Sequence, residues 1–132
     1  MEGMMNSAPE RPTILVMDDD EDVRFIAELM LQRMGFAVEF AENGAEAMTL
    51  YRQALVSGRR YHAVILDLNV PGGFGGREVI GQLKEIDPDI TAFVACGNPY
   101  DPVVENPGSF GFKGAVTKPF LPENLQALLE QH

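Results

Sequence analysis

The chain has a single cysteine, few basic residues and no long apolar run. The lone thiol, Cys96, excludes an internal disulfide and suits a reducing compartment. Ten Lys+Arg stand against twenty Asp+Glu, a formal net charge of −10, and Arg59-Arg60 is the only basic pair. So acidic a surface repels phosphate backbones and anionic lipid, so neither direct DNA binding nor membrane binding is expected. No apolar stretch approaches the ~20 residues of a membrane helix. Met1 to Pro12 lacks the apolar core of a secretory signal, and the expected location is cytoplasmic. There is no internal repeat and no low-complexity stretch. His62 and His132 have neither metal-ligand spacing nor a nucleophile beside them.

What remains fits one compact domain. The chain has 132 residues, 45% of them hydrophobic, enough for a core of ordinary size. Residues 1–11 read as a flexible N-terminal tail and 12–132 as the domain. Short apolar runs alternate with longer helical patterns. Strands are expected at 13–17, 36–40, 63–66, 90–95 and 115–117. The first helix carries Val23, Phe25, Ile26, Leu29, Met30 and Met34 at helical spacing and stops at Gly35. Asn43 caps the second, whose apolar face is Ala47, Met48, Leu50, Tyr51 and Leu55. The third runs over 78–86 to Asp87-Pro88. Residues 97–111 hold three prolines and three glycines, so a fourth helix there is short or irregular. Pro122 opens the last helix, through Leu125, Leu128 and Leu129.

Strand–helix alternation five times over implies an α/β fold, a doubly wound five-stranded parallel sheet with helices on both faces. Ligands of such sheets bind beyond the carboxyl ends of the strands. Asp18-Asp19, Asp67, Cys96-Gly97 and Lys118 follow strands one, three, four and five, which run side by side in a doubly wound sheet. Three carboxylates that converge repel one another unless a cation joins them. Oxygen donors select a hard cation, and a few carboxylates with water suit Mg²⁺. A carboxylate beside such a cation and a lysine can attack phosphorus and form an aspartyl phosphate.

Ile14-Leu15-Val16-Met17-Asp18-Asp19-Asp20, Val64-Ile65-Leu66-Asp67-Leu68-Asn69-Val70-Pro71-Gly72-Gly73 and Thr117-Lys118-Pro119-Phe120 resemble the three signature segments of the receiver domains of two-component signalling. The likeness runs from about Pro12 to the C-terminus. It implies the flavodoxin-like strand order 2-1-3-4-5, with Asp67 as phosphoacceptor in a phosphorelay. Asp19 and Asp67 would hold Mg²⁺ directly, Asp18 through water and Asn69 through its backbone carbonyl. Lys118 would pair with the acceptor and then the phosphoryl group, with Cys96 and Gly97 beside it, and Lys118-Pro119 is a candidate cis bond. The partner would be a sensor histidine kinase or a histidine phosphotransfer domain, and a weak homodimer stays open. The stretches 71–76 and 111–114 resemble the receivers attached to hybrid sensor histidine kinases.

Each residue also has a plainer reading. Asp20 caps the first helix, with Glu21 and Asp22 at its positive end. Asp67 alone could start a turn, and Lys118 alone could be a solvated lysine. Gly72, Gly73, Gly75 and Gly76 do not form a nucleotide-binding loop, because no strand leads into them in that pattern. Two residues depart from the family. Cys96 stands where receivers usually carry Thr or Ser, and a thiol is a weaker donor. Ala115 stands at the switch position that often holds an aromatic ring. The alternative reading is a metal-dependent aspartyl-phosphate phosphatase or phosphotransferase. Such enzymes usually need a second carboxylate two residues after the nucleophile, where this chain has Asn69.

Overall fold

The computed structural model describes residues 11–72 and 74–131; ten of the eleven tail residues lie outside that range. Five parallel strands form one sheet in the order β2-β1-β3-β4-β5. In chain order the elements are β1 Thr13–Met17, α1 Glu21–Arg33, β2 Ala37–Ala41, α2 Gly44–Val56, β3 Ala63–Asp67, α3 Gly76–Ile86, β4 Ala92–Cys96, α4 Pro102–Glu105, a 3₁₀ turn Pro107–Phe110, β5 Gly114–Thr117 and α5 Pro122–Glu130. β1, β3 and β4 are central and buried on both sides, which is why they read as unbroken apolar runs. Along β1, Ile14 and Val16 face α1 and α5, with Ala27, Leu31, Phe93 and Leu125. Leu15 and Met17 face α2 and α3, with Met48, Tyr51, Val79 and Leu83.

The caps follow local chemistry. Asp20 Oδ1 accepts from the Asp22 and Val23 amides at 2.9 and 3.4 Å and starts α1. Asn43 Oδ1 accepts from the Glu46 amide at 2.9 Å and starts α2. In place of a long fourth helix, α4 has four residues, Pro102–Glu105. Arg77 holds that region to α3, with its guanidinium over the Phe110 ring and 3.7 Å from Asp101.

The inward face of α1 differs from the one expected. Ala27 and Leu31 are fully buried, with Val23, Met30 and Met34 packed beside them. Phe25, Ile26 and Leu29 are instead 58%, 43% and 43% exposed. The helix is apolar around much of its circumference, so spacing alone does not choose the buried stripe. Ala27 and Leu31, four positions apart, form the stripe turned to the sheet.

A buried carboxylate locks the end of the domain where the strands begin. Asp87, the C-cap of α3, is 3% exposed. It accepts from the Tyr51 hydroxyl at 2.5 Å, from Arg60 Nε at 3.2 Å and from the Asp89 amide at 3.1 Å. Arg60 Nη2 completes the pair. Burial alone would raise the Asp87 carboxyl, but these donors hold it below its ordinary range. Tyr51→Phe removes a charge-assisted donor and is expected to cost about 1.5–3 kcal/mol by urea unfolding at pH 7. A depressed carboxyl stabilises the fold above its unfolded-state pKa, and that stabilisation is lost as pH falls through the folded one. The cost of Tyr51→Phe should therefore shrink in acid.

Candidate functional site

The register brings the chemical side chains to one end of the sheet. Met17 lies beside Leu66, Asp67 beside Ala95 and Cys96 beside Thr117, so Asp18, Asp67, Gly97 and Lys118 all stand at carboxyl ends. Lys118 Nζ lies 2.7 Å from Asp18 Oδ2 and 3.1 Å from Asp67 Oδ1. Carboxylate oxygens of Asp18, Asp19 and Asp67 all fall within 4.8 Å of one another. Asp18 and Asp67 are 2% and 6% exposed, whereas Asp19 is open to solvent.

The three acids are held differently. The Asp18 amide donates to the Ala41 carbonyl at 3.0 Å. Its Oδ1 accepts from the Asp20 amide at 2.9 Å, and its own carbonyl accepts from Arg24 Nη1 at 2.8 Å. Asp67 accepts from the Asn69 backbone amide and from Lys118. Burial, then the nearby Asp18 charge, pushes the Asp67 carboxyl up to about 6, against Lys118 and the Asn69 amide, which pull it down. Burial would lower the Lys118 ammonium, but Asp18 and Asp67 together hold it above its ordinary value.

The loop after β3 is packed against its surroundings through glycines. A Cβ on Gly76 would sit 2.9 Å from the Asp67 carbonyl, and one on Gly44 would sit 2.7 Å from the Phe74 carbonyl. The Gly44 amide donates to that same carbonyl at 2.8 Å, so the start of α2 is tied directly to the loop behind Asp67. Asn69 and Gly97 are exposed at the rim. Cys96 is buried, with Sγ 3.4 Å from the Asn98 amide that donates to it. Ala115 is half-buried on β5, and Lys118-Pro119 is cis.

Two features were not anticipated from sequence. Lys118 lies nearer to Asp18 than to Asp67. Arg24 reaches back to the Asp18 carbonyl; the only signal for it is a cation six positions after that acid, at the start of a helix. The cleft that includes Lys118, with Val23, Ile26, Pro119 and Phe120, is about 60 Å³. A larger hollow of about 300 Å³ lies at the far end, against Thr13 and Tyr61.

Residues 14–130 match the family described as the response regulator receiver domain. The chain belongs to this family. The receiver is 31% identical over 105 residues to a response regulator receiver protein of Anaeromyxobacter sp. (strain Fw109-5), covering 80% of this chain and 42% of that one. It is 34% identical over 121 residues to the probable transcriptional regulator ycf27 of Porphyra purpurea, covering 89% of this chain and 46% of that one. The receiver thus spans less than half the length of these two curated relatives. Among solved structures it superposes on the Vibrio cholerae chemotaxis protein CheY4 with a TM-score of 0.79 at 26% identity, covering 92% of this chain and 98% of that one. A sensor protein from Polaromonas sp. JS666 gives 0.77 at 27% identity, covering 92% and 95%. The family is a signalling switch of two-component systems. Among the described residues, no helix is long and apolar enough to cross a membrane.

Proposed function

We propose that Asp67 accepts a phosphoryl group from a phosphohistidine donor at a Mg²⁺ site, and that the modified receiver acts as a protein-interaction switch. The observation that carries this reading is Lys118 bridging two buried carboxylates with a third within reach. Three carboxylates against one ammonium leave net negative charge in a poorly solvated place, and an all-oxygen donor set fits a hard divalent cation. Asp19 and Asp67 would hold Mg²⁺ directly, with the Asn69 carbonyl, and Asp18 through water. Bound there, the ion would offset negative charge on the phosphoryl oxygens.

The chain's own groups do the rest. Asp67 attacks through a carboxylate oxygen and must be ionised. Its raised pKa of about 6 still leaves it mostly ionised at neutral pH. Lys118 exchanges its contact with the acceptor oxygen for one with the phosphoryl group, and Asp18 keeps it in place meanwhile. Gly97 leaves room at the phosphoryl position and Cys96 supplies a weak donor.

A sensor histidine kinase or a histidine phosphotransfer domain is the expected donor. Two residues after Asp67 stands Asn69, whose amide cannot serve as the general acid of an aspartyl-phosphate phosphatase. That favours a phosphoryl group delivered by another protein over turnover as a small-molecule phosphatase. The chain then catalyses only its own phosphorylation and dephosphorylation, in the cytoplasm, without contacting DNA itself.

The test is intact-protein mass after incubation with acetyl phosphate. One phosphoryl group should appear with Mg²⁺ and none with excess chelator. Equal uptake in both would remove the metal from the reading. A second expectation concerns output. The Cys96 thiol gains little by moving toward a phosphoryl group, and Ala115 has no rotamer to change, so two sources of difference between the states are diminished. Amide exchange with beryllofluoride should show protection concentrated in 68–76 and 97–108. Large changes centred on Ala115 and Leu125 would count against it.

A further inference from the structure

We infer that Arg24 is a positioning residue for the cation site, holding the turn that presents the Asp19 carboxylate. This rests on the proposed Mg²⁺ role of Asp19 and Asp67. Asp19 is exposed, and among the described residues its carboxylate has no hydrogen-bond or ion-pair partner. Its position is therefore set by the backbone on either side, and Arg24 binds both sides. The Arg24 amide donates to the Asp20 carbonyl at 3.1 Å, as the first turn of α1. The Arg24 guanidinium donates to the Asp18 carbonyl at 2.8 Å. Asp19 is thus bracketed between two carbonyls anchored to one residue. The remaining contacts of Asp18, with the Ala41 carbonyl, the Asp20 amide and Lys118, hold its own amide and carboxylate; among the described residues the carbonyl that it shares with Asp19 is held by Arg24. Without that anchor the peptide can rotate and carry the Asp19 carboxylate away from Asp67.

Charge and positioning predict opposite signs. Removing a cation near a dication site should by itself tighten Mg²⁺ binding. Losing the anchor should loosen it, because groups that orient a ligand commonly change metal affinity by about tenfold or more. Mg²⁺ titration calorimetry on the full chain, at fixed ionic strength, separates the two. Arg24→Met is expected to bind Mg²⁺ about tenfold more weakly. Arg24→Lys, which keeps a donor and the charge, should recover most of the affinity. Arg24→Gln takes the place of the Met variant if the latter melts too early, and it should bind more weakly too. Amide exchange at Asp19 and Asp20 in metal-free Arg24→Met should speed up, a readout independent of metal.

Asp19→Ala is the control. If it leaves Mg²⁺ affinity unchanged, the cation site itself is misplaced. If it abolishes binding while Arg24→Met binds as tightly as wild type or tighter, only the role of Arg24 is overturned. Unchanged exchange at Asp19 and Asp20 in Arg24→Met would overturn it as well.

Discussion

Asp67→Asn takes up no phosphoryl group from acetyl phosphate and, without Mg²⁺, is more stable than the wild type at neutral pH. The first half follows from chemistry, since an amide is a poor nucleophile toward phosphorus. The second follows from the state of the carboxylate. Folding raises Asp67 from 3.8 to about 6, so the folded protein binds more protons than the unfolded chain between those values. Stability of the metal-free wild type then falls as pH rises through that window. A shift of about 2 units corresponds to about 3 kcal/mol, an upper bound, because Lys118 also loses a partner in the variant. A gain of about 1–2 kcal/mol by urea unfolding at pH 7 is the expected result. Below pH 4 the difference should largely vanish. A variant less stable than wild type at pH 7 would mean that Lys118 already compensates the acceptor fully.

Lys118→Met has the opposite effect on the metal-free fold. It leaves Asp18 and Asp67, 2% and 6% exposed, without the ammonium that lies 2.7 and 3.1 Å from them. Breaking a buried ion pair from one side typically costs about 3–5 kcal/mol. The partly exposed lysine places this site near the low end of that range, at about 3 kcal/mol. Because the cost comes from repulsion between ionised acids, it should diminish as pH falls toward 5 and when Mg²⁺ is added. Mg²⁺ binding itself should survive, since its carboxylates remain. The response to phosphorylation should shrink, since the lysine no longer meets the phosphoryl group. Thermal melts with and without Mg²⁺ check the first part. A variant that melts like wild type at pH 7 would place Lys118 outside the charge balance.

The sheet and the acid and lysine positions were legible because each rests on a short-range signal; the strand order followed from the likeness of three segments to receivers. A strand buried on both faces is an unbroken apolar run, and the residue after it must lie at the strand's carboxyl end. Asn43, Asp20 and Pro122 act locally and were equally plain. What escaped were choices made between distant elements. Phe25, Ile26 and Leu29 match helical spacing as well as Ala27 and Leu31 do, and only packing against the sheet selects the latter pair. Asp87 reads as a helix stop before a proline. Its burial depends on Tyr51 and Arg60, 36 and 27 positions away. The nearer contact of Lys118 with Asp18 likewise depends on how deeply β1 and β5 set their ends. The contact of Arg24 with the Asp18 carbonyl depends on how the first turn of α1 folds back on the end of β1, which no local pattern records.

The proposed acceptor role of Asp67 is tested most directly by peptide mapping of the phosphorylated wild-type chain. After reaction with acetyl phosphate and Mg²⁺, the acyl phosphate is reduced with borohydride, which converts the modified aspartate to homoserine, and the chain is digested and sequenced by mass spectrometry. The label is expected on Asp67 alone, in the peptide spanning β3 and the loop behind it. A label on Asp18, Asp19 or any other residue, with Asp67 unmodified, would contradict it.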